Sequence, residues 1–122
     1  MVVVGALHQH PGGVRSDGRH DYSLAPPPTI LNALSETGLL VQSIGKIADI
    51  FAGSGITAST PTESNADGME KISAVWSEFD DGLVFANLVD FDSRHGHRRD
   101  LDGFARALEE CDAWLAGFLS QI

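Results

Sequence analysis

The apolar pattern changes character at a run of prolines. Before it, Val2-Val3-Val4 is a β-branched run that reads as a short strand, and Pro11-Gly12-Gly13 reads as a turn. Pro26-Pro27-Pro28 favours stiff polyproline II and marks a boundary or hinge. Beyond it, Thr29 is placed to N-cap a short helix running to Glu36, with Gly38 at the C′ position. Residues 39–47 are aliphatic and β-branched without a 3.6 period, so they read as a strand. Residues 51–62 are rich in Gly, Ser and Thr and read as a loop. Met69, Ile72, Trp76 and Phe79 recur at steps of three and four, which predicts a helix over 64–79, stopped by Asp80-Asp81-Gly82. Residues 83–91 are almost continuously apolar, as expected of a strand buried on both faces in a parallel sheet. Asp100 opens a final helix. On it Leu101, Phe104, Leu108, Cys111, Leu115, Phe118 and Ile122 form one stripe, with Arg106, Glu109, Glu110 and Asp112 off it.

From Thr29 the order is helix, strand, loop, helix, strand, helix. That is an α/β layout, a partial parallel sheet with flanking helices joined by right-handed crossovers. The strands are few for a doubly wound sheet, and an amphipathic helix comes last. Either a partner covers the sheet edge or the chain is a piece of something larger, and self-association through exposed sheet edges is expected.

With 122 residues the chain is the size of one domain. Its 8 Lys and Arg against 17 Asp and Glu give a net charge of −9, with a pI near 4.7. Binding to a nucleic-acid backbone or an anionic membrane surface needs clustered cations, so neither is an expected partner. No stretch reaches the ~20 apolar residues of a membrane span, and the apolar start lacks the cationic flank and cleavage site of a signal peptide. A soluble, cytoplasmic protein is expected. Cys111 is the single cysteine. It excludes an internal disulfide and, lying on the apolar stripe, reads as a structural thiol.

In open α/β sheets, ligands bind beyond the carboxyl ends of the strands. Two such ends are polar here: Gly45-Lys46-Ile47-Ala48-Asp49, and the stretch from Asp90 to Asp100 with Asp92, His95 and His97. A strand-end carboxylate and a loop imidazole can face one cation, and mixed O and N donors suit manganese, iron or zinc. Asp92 and His97 make the best pair. Asp90 alternates with Asp92 along the expected strand and is the rival carboxylate. Equally, acidic residues after a strand often cap the next helix. Lys46 has two readings: a surface lysine whose stem snorkels, or a point charge for a substrate phosphate. Gly53-Ser54-Gly55 is not followed by Gly-Lys-Ser/Thr, so it is no phosphate loop.

Taken in order, Gly18-Arg19-His20-Asp21-Tyr22, the prolines with Thr29, Gly45-Lys46-Ile47-Ala48-Asp49-Ile50-Phe51, Gly55-Ile56-Thr57, Asn87-Leu88-Val89-Asp90-Phe91-Asp92, Gly96-His97-Arg98-Arg99-Asp100 and Gly103-Phe104-Ala105-Arg106-Ala107-Leu108-Glu109 resemble bacterial phosphopentomutases, of the alkaline phosphatase superfamily. The resemblance is close over 18–57 and 84–112 and weak before Pro11 and over 58–81.

That resemblance implies an α/β core with two manganese ions and a mobile cap inserted into it. It implies an isomerase that interconverts the 1-phosphate and 5-phosphate of ribose or deoxyribose through a phosphothreonine. Residue by residue, it implies that Asp92 and His97 are metal ligands and that Arg19 and Lys46 hold the sugar phosphate. Residues 1–25 would be the end of the cap and 26–122 a central segment of the core, with the prolines as the hinge. The chain departs from the family pattern in length. The threonine nucleophile and the remaining metal ligands have no counterpart, and Gly5 stands where the family has an arginine. The expectation is an internal fragment, inactive alone. The alternative is a non-catalytic truncated α/β protein that binds metal or sugar phosphate weakly.

Overall fold

The computed structural model describes residues 3–7, 19–96 and 99–121. The expected turn at Pro11-Gly12-Gly13, His97 and Ile122 lie outside them.

Strand β1, Val3–Leu7, pairs antiparallel with β2, Arg19–Ser23, Val3 opposite Ser23 and Leu7 opposite Arg19. The prolines follow without regular structure. Helix α1, Ile30–Glu36, then starts as expected from Thr29. The Thr29 hydroxyl accepts from the Leu31 N–H at 3.2 Å, and Asn32 Oδ1 accepts from the Thr29 N–H at 2.8 Å. This reciprocal cap satisfies two donors that a helix start leaves unpaired.

The second sheet has the order β4-β3-β5 and is parallel throughout. Strand β3, Leu40–Ile44, lies in the middle, with Ile44 opposite Thr60 of β4 and Ala86 of β5. Helices α2 (Ile47–Ile50) and α3 (Asn65–Ser77) lie on the connections, and α4 (Leu101–Leu119) closes the chain. The α/β class with a partial parallel sheet and flanking helices is the one read from the sequence.

Three local expectations are corrected. First, the stretch read as a loop contains β4, Ala58–Thr60. Three small polar or alanine residues carry no alternation of their own. The strand exists because β3 templates it, through Thr57 N–H to the Val41 carbonyl at 3.0 Å and Val41 N–H to the Thr57 hydroxyl at 2.7 Å.

Second, the apolar run over 83–91 is not one strand. Strand β5 is Gly82–Ala86, and Phe91–Gly96 is a π-helical turn. The strand buried on both faces is β3, where Val41, Gln42, Ser43 and Ile44 are all buried. Central position, and not apolar continuity, decides this. Asp90 and Asp92 therefore do not alternate along a strand. Asp90 directly precedes the π turn and Asp92 lies within it.

Third, α4 is rotated relative to its leucine stripe. Leu101, Leu108 and Leu115 are exposed, whereas Gly103 and Ala107 are buried and Cys111, Trp114 and Phe118 half-buried. The small residues let α4 come close, and Trp114 fixes its phase by donating its indole N–H to Ser73 Oγ of α3 at 3.1 Å. Phe118 meets Trp76 edge-on at 5.8 Å, and Phe104 meets Phe91 at 5.2 Å. Such aromatic pairs add about 1 kcal/mol each beyond their burial.

Candidate functional site at the carboxyl edge of the sheet

Because the three strands are parallel, their carboxyl ends share one edge. Lys46 follows β3 there, and the Asp92 turn follows β5. The two ends are tied together through Asn87. Its N–H donates to the Ile44 carbonyl at 3.1 Å, and its Oδ1 accepts the Lys46 N–H at 2.7 Å. Gly45 makes this possible. Its φ is +82°, and a Cβ there would run into Asn87 Oδ1 and stand 2.8 Å from the Asn87 carbonyl. The Lys46 side chain is exposed, which leaves its ammonium available at that edge.

The π turn is fixed at its start and at its exit. At the start, Ser93 donates through its N–H at 3.1 Å and its hydroxyl at 2.8 Å to the Val89 carbonyl. Asp90 is buried; its Oδ2 accepts the Asn65 N–H at 2.8 Å, and its own N–H donates to Asn65 Oδ1 at 2.8 Å. That commits the rival carboxylate to the fold. Arg94 adds only a long contact to it, at 3.8 Å.

At the exit, His95 Nδ1 and Asp100 Oδ2 are 3.0 Å apart, and Asp100 Oδ1 accepts the Gly103 N–H at 2.9 Å. Asp100 is thus the N-cap of α4. A Cβ on residue 103 would collide with both partners, so only glycine fits beneath the pair.

Of the expected site residues, Lys46 and Asp92 are brought to the same edge. Arg19 opens β2 in the other sheet, and His97 lies outside the described residues. Asn65 and Asn87 were missed by the sequence reading, and Asp100 was read as the start of the last helix but not as the partner of His95. Of the two missed, only Asn87 left a signal, as the one polar residue in the middle of an apolar run.

The donor chemistry of Asp92 with His97, one carboxylate and one imidazole, suits a divalent first-row cation. Among the described residues no group of three or more His, Cys, Asp or Glu could hold a metal.

Among the described residues, two carboxyls titrate below their ordinary value of 3.8. Asp100 is lowered chiefly by the Gly103 N–H and then by His95. Asp67 is lowered by its hydrogen bond from Lys71 and by the Glu63 N–H. Each therefore lends stability that is complete above pH 3.8 and disappears as the pH falls through its lower folded value. Helical ellipticity is expected to hold from neutral pH down to about 5 and to fall below about 4. Asp100→Asn combined with Asp67→Asn should flatten that fall. An unchanged acid profile would assign the transition to other groups.

Residues 14–122 match the metalloenzyme superfamily, and the chain belongs to that family. Within it, the sequence is similar to phosphopentomutases. It is 51% identical over 108 residues to the phosphopentomutase of Symbiobacterium thermophilum, covering 88% of this chain and 28% of the relative. It is 50% identical over 107 residues to that of Syntrophotalea carbinolica (87% and 27%) and 46% identical over 110 residues to that of Clostridioides difficile (89% and 28%). The chain thus spans little more than a quarter of the length of the curated relatives it matches. No helix among the described residues is long and apolar enough to cross a membrane.

Proposed function

We propose that this chain supplies one metal-binding side of a cytoplasmic phosphopentomutase, the enzyme that interconverts ribose or deoxyribose 1-phosphate and 5-phosphate. The observation that carries this reading is the shared carboxyl edge, where Asn87 locks the exit of β3, bearing Lys46, to the exit of β5, which leads to Asp92. Asp92 and His97 would be ligands of a divalent ion, manganese by the family resemblance. When bound, such an ion neutralises charge on a transferring phosphoryl group. Lys46 holds the sugar phosphate as a point charge, and Arg19 adds a bidentate contact from the cap piece, residues 1–25. Residues 26–122 belong to the core. The phosphothreonine comes from outside these 122 residues, so they show no turnover alone, and strands β4 and β5, the sheet edges, favour self-association.

A chimera tests this. Replacing the corresponding segment of the Symbiobacterium thermophilum phosphopentomutase by this sequence should preserve conversion of ribose 1-phosphate to ribose 5-phosphate. In that chimera Asp92→Asn should lower kcat by about 100-fold or more, and Lys46→Ala should raise KM by about tenfold or more, the worth of one charged hydrogen bond. A folded chimera that has no turnover, or that tolerates Asp92→Asn, overturns the reading in favour of a non-catalytic α/β protein.

A further inference from the structure

Asn65 and Asp90 sit 25 residues apart in sequence, and each begins a helical element. Asn65 is the first residue of α3, and Asp90 immediately precedes the π turn that carries Asp92. The first N–H groups of any helical element lack partners within it. Here each element's first donor is taken by the other's side chain: Asn65 N–H by Asp90 Oδ2, and Asp90 N–H by Asn65 Oδ1, both at 2.8 Å. The arrangement is a capping box shared between two elements, where the usual box closes within one. Both residues are buried, at 5% and 7% exposure, so water cannot replace either bond. The Asn65 amide nitrogen has no partner although it is buried. The position therefore tolerates an unsatisfied donor in order to present the amide oxygen to Asp90.

We propose that Asn65 is a positioning residue for Asp92: through the shared cap it fixes where the π turn starts and hence where the Asp92 carboxylate stands. This rests on the reading of Asp92 as a metal ligand. Groups that orient a metal ligand without touching the ion commonly change affinity about 10- to 100-fold when removed. Asn65 acts through backbone, two residues upstream of the ligand. A helix propagates its starting phase, so a displaced Asp90 N–H moves every side chain of the turn.

The test uses the 122-residue chain with manganese as the only probe, and it reads both affinity and amide hydrogen exchange over residues 90–95 without metal. Asn65→Ala should weaken manganese binding by about tenfold and speed exchange in the turn. Asp90→Asn retains an oxygen acceptor and its own N–H, so it keeps both bonds and should change affinity less than about threefold. Asp67→Ala removes the acceptor of the Glu63 N–H and the Lys71 ion pair. It loosens the start of α3 while leaving the shared cap, and should spare both readouts. Should Asn65→Ala fail to fold, the contrast between Asp90→Asn and Asp90→Ala takes its place, with only the second expected to lose affinity.

Unchanged exchange and affinity in Asn65→Ala would overturn the proposal, as would an equal loss in Asp67→Ala, which would reduce the effect to general destabilisation. Failure of the underlying reading looks different. There Asp92→Asn would leave manganese binding intact, and the positioning role would fall with it even if exchange in the turn responded to Asn65→Ala.

Discussion

Replacing Gly45 by alanine is expected to lower the thermal midpoint by about 10 °C or more. A left-handed backbone costs a residue with a Cβ about 1–2 kcal/mol, and Gly45 has φ +82°. The larger part is contact. The new Cβ would press on the Asn87 carbonyl, which is main chain and cannot rotate aside. Relief requires the exits of β3 and β5 to separate, which strains the Asn87-to-Ile44 and Lys46-to-Asn87 hydrogen bonds, each worth about 1 kcal/mol. The sum is about 3–5 kcal/mol, at the upper end of single-site effects, and a chain of this size loses about 3–4 °C per kcal/mol. Gly38→Ala is the matched comparison. Gly38 has φ +86° with nothing within 4 Å of the place a Cβ would occupy, so it bears the conformational cost alone. Differential scanning calorimetry of the two variants separates the terms. Equal midpoints would mean that the two strand exits are not locked as described.

His97→Ala is expected to abolish manganese binding while His95→Ala retains it to within about threefold. The two imidazoles are close in sequence and differ in their engagements. His95 Nδ1 is held by Asp100, the pair sits over Gly103, and the His95 side chain is only 19% exposed. Removing it should appear in the stability of α4, whose N-cap Asp100 loses a partner, as a small fall in the thermal midpoint. Isothermal titration of manganese into the parent and the two variants reads the first effect, and thermal unfolding reads the second. Loss of binding in His95→Ala with retention in His97→Ala would reverse the assignment.

The elements with a strong periodic or capping signature were legible in the sequence. Thr29 marked the start of α1, the Met69, Ile72 and Trp76 steps marked α3, and Asp100 marked α4. What was not legible depends on neighbours. Strand β4 forms only because β3 offers it a template through Thr57. The leucines of α4 outweigh its glycine and alanine in any hydrophobic stripe, although the small residues are the ones that reach the core. The run over 83–91 reads as strand because apolarity does not tell an extended segment from a buried turn; Val89 is buried in a turn beyond β5. At the edge of the sheet, Lys46 and Asp92 could be named because strand ends are where open α/β sheets bind ligands. Asn65 could not, since a single asparagine after a serine cap has no pattern that points to a partner 25 residues away.

A π-helical turn holds one residue more than the α-helical turn it resembles. The segment Phe91–Gly96 therefore behaves as an insertion already absorbed into the fold. A lineage that lost one residue within it would retain a backbone able to close as ordinary helix. A loss ahead of His95 would nevertheless turn everything beyond it by about 100°, carrying the His95–Asp100 pair together to a new azimuth and altering the phase at which α4 begins. The same deletion at Ala52 or Gly53, ahead of the Thr57 contact to β3 and where Gly53 has open space around it, would merely shorten a connection. Tolerance to length change along this chain is thus set by helical phase at one place and by reach at the other.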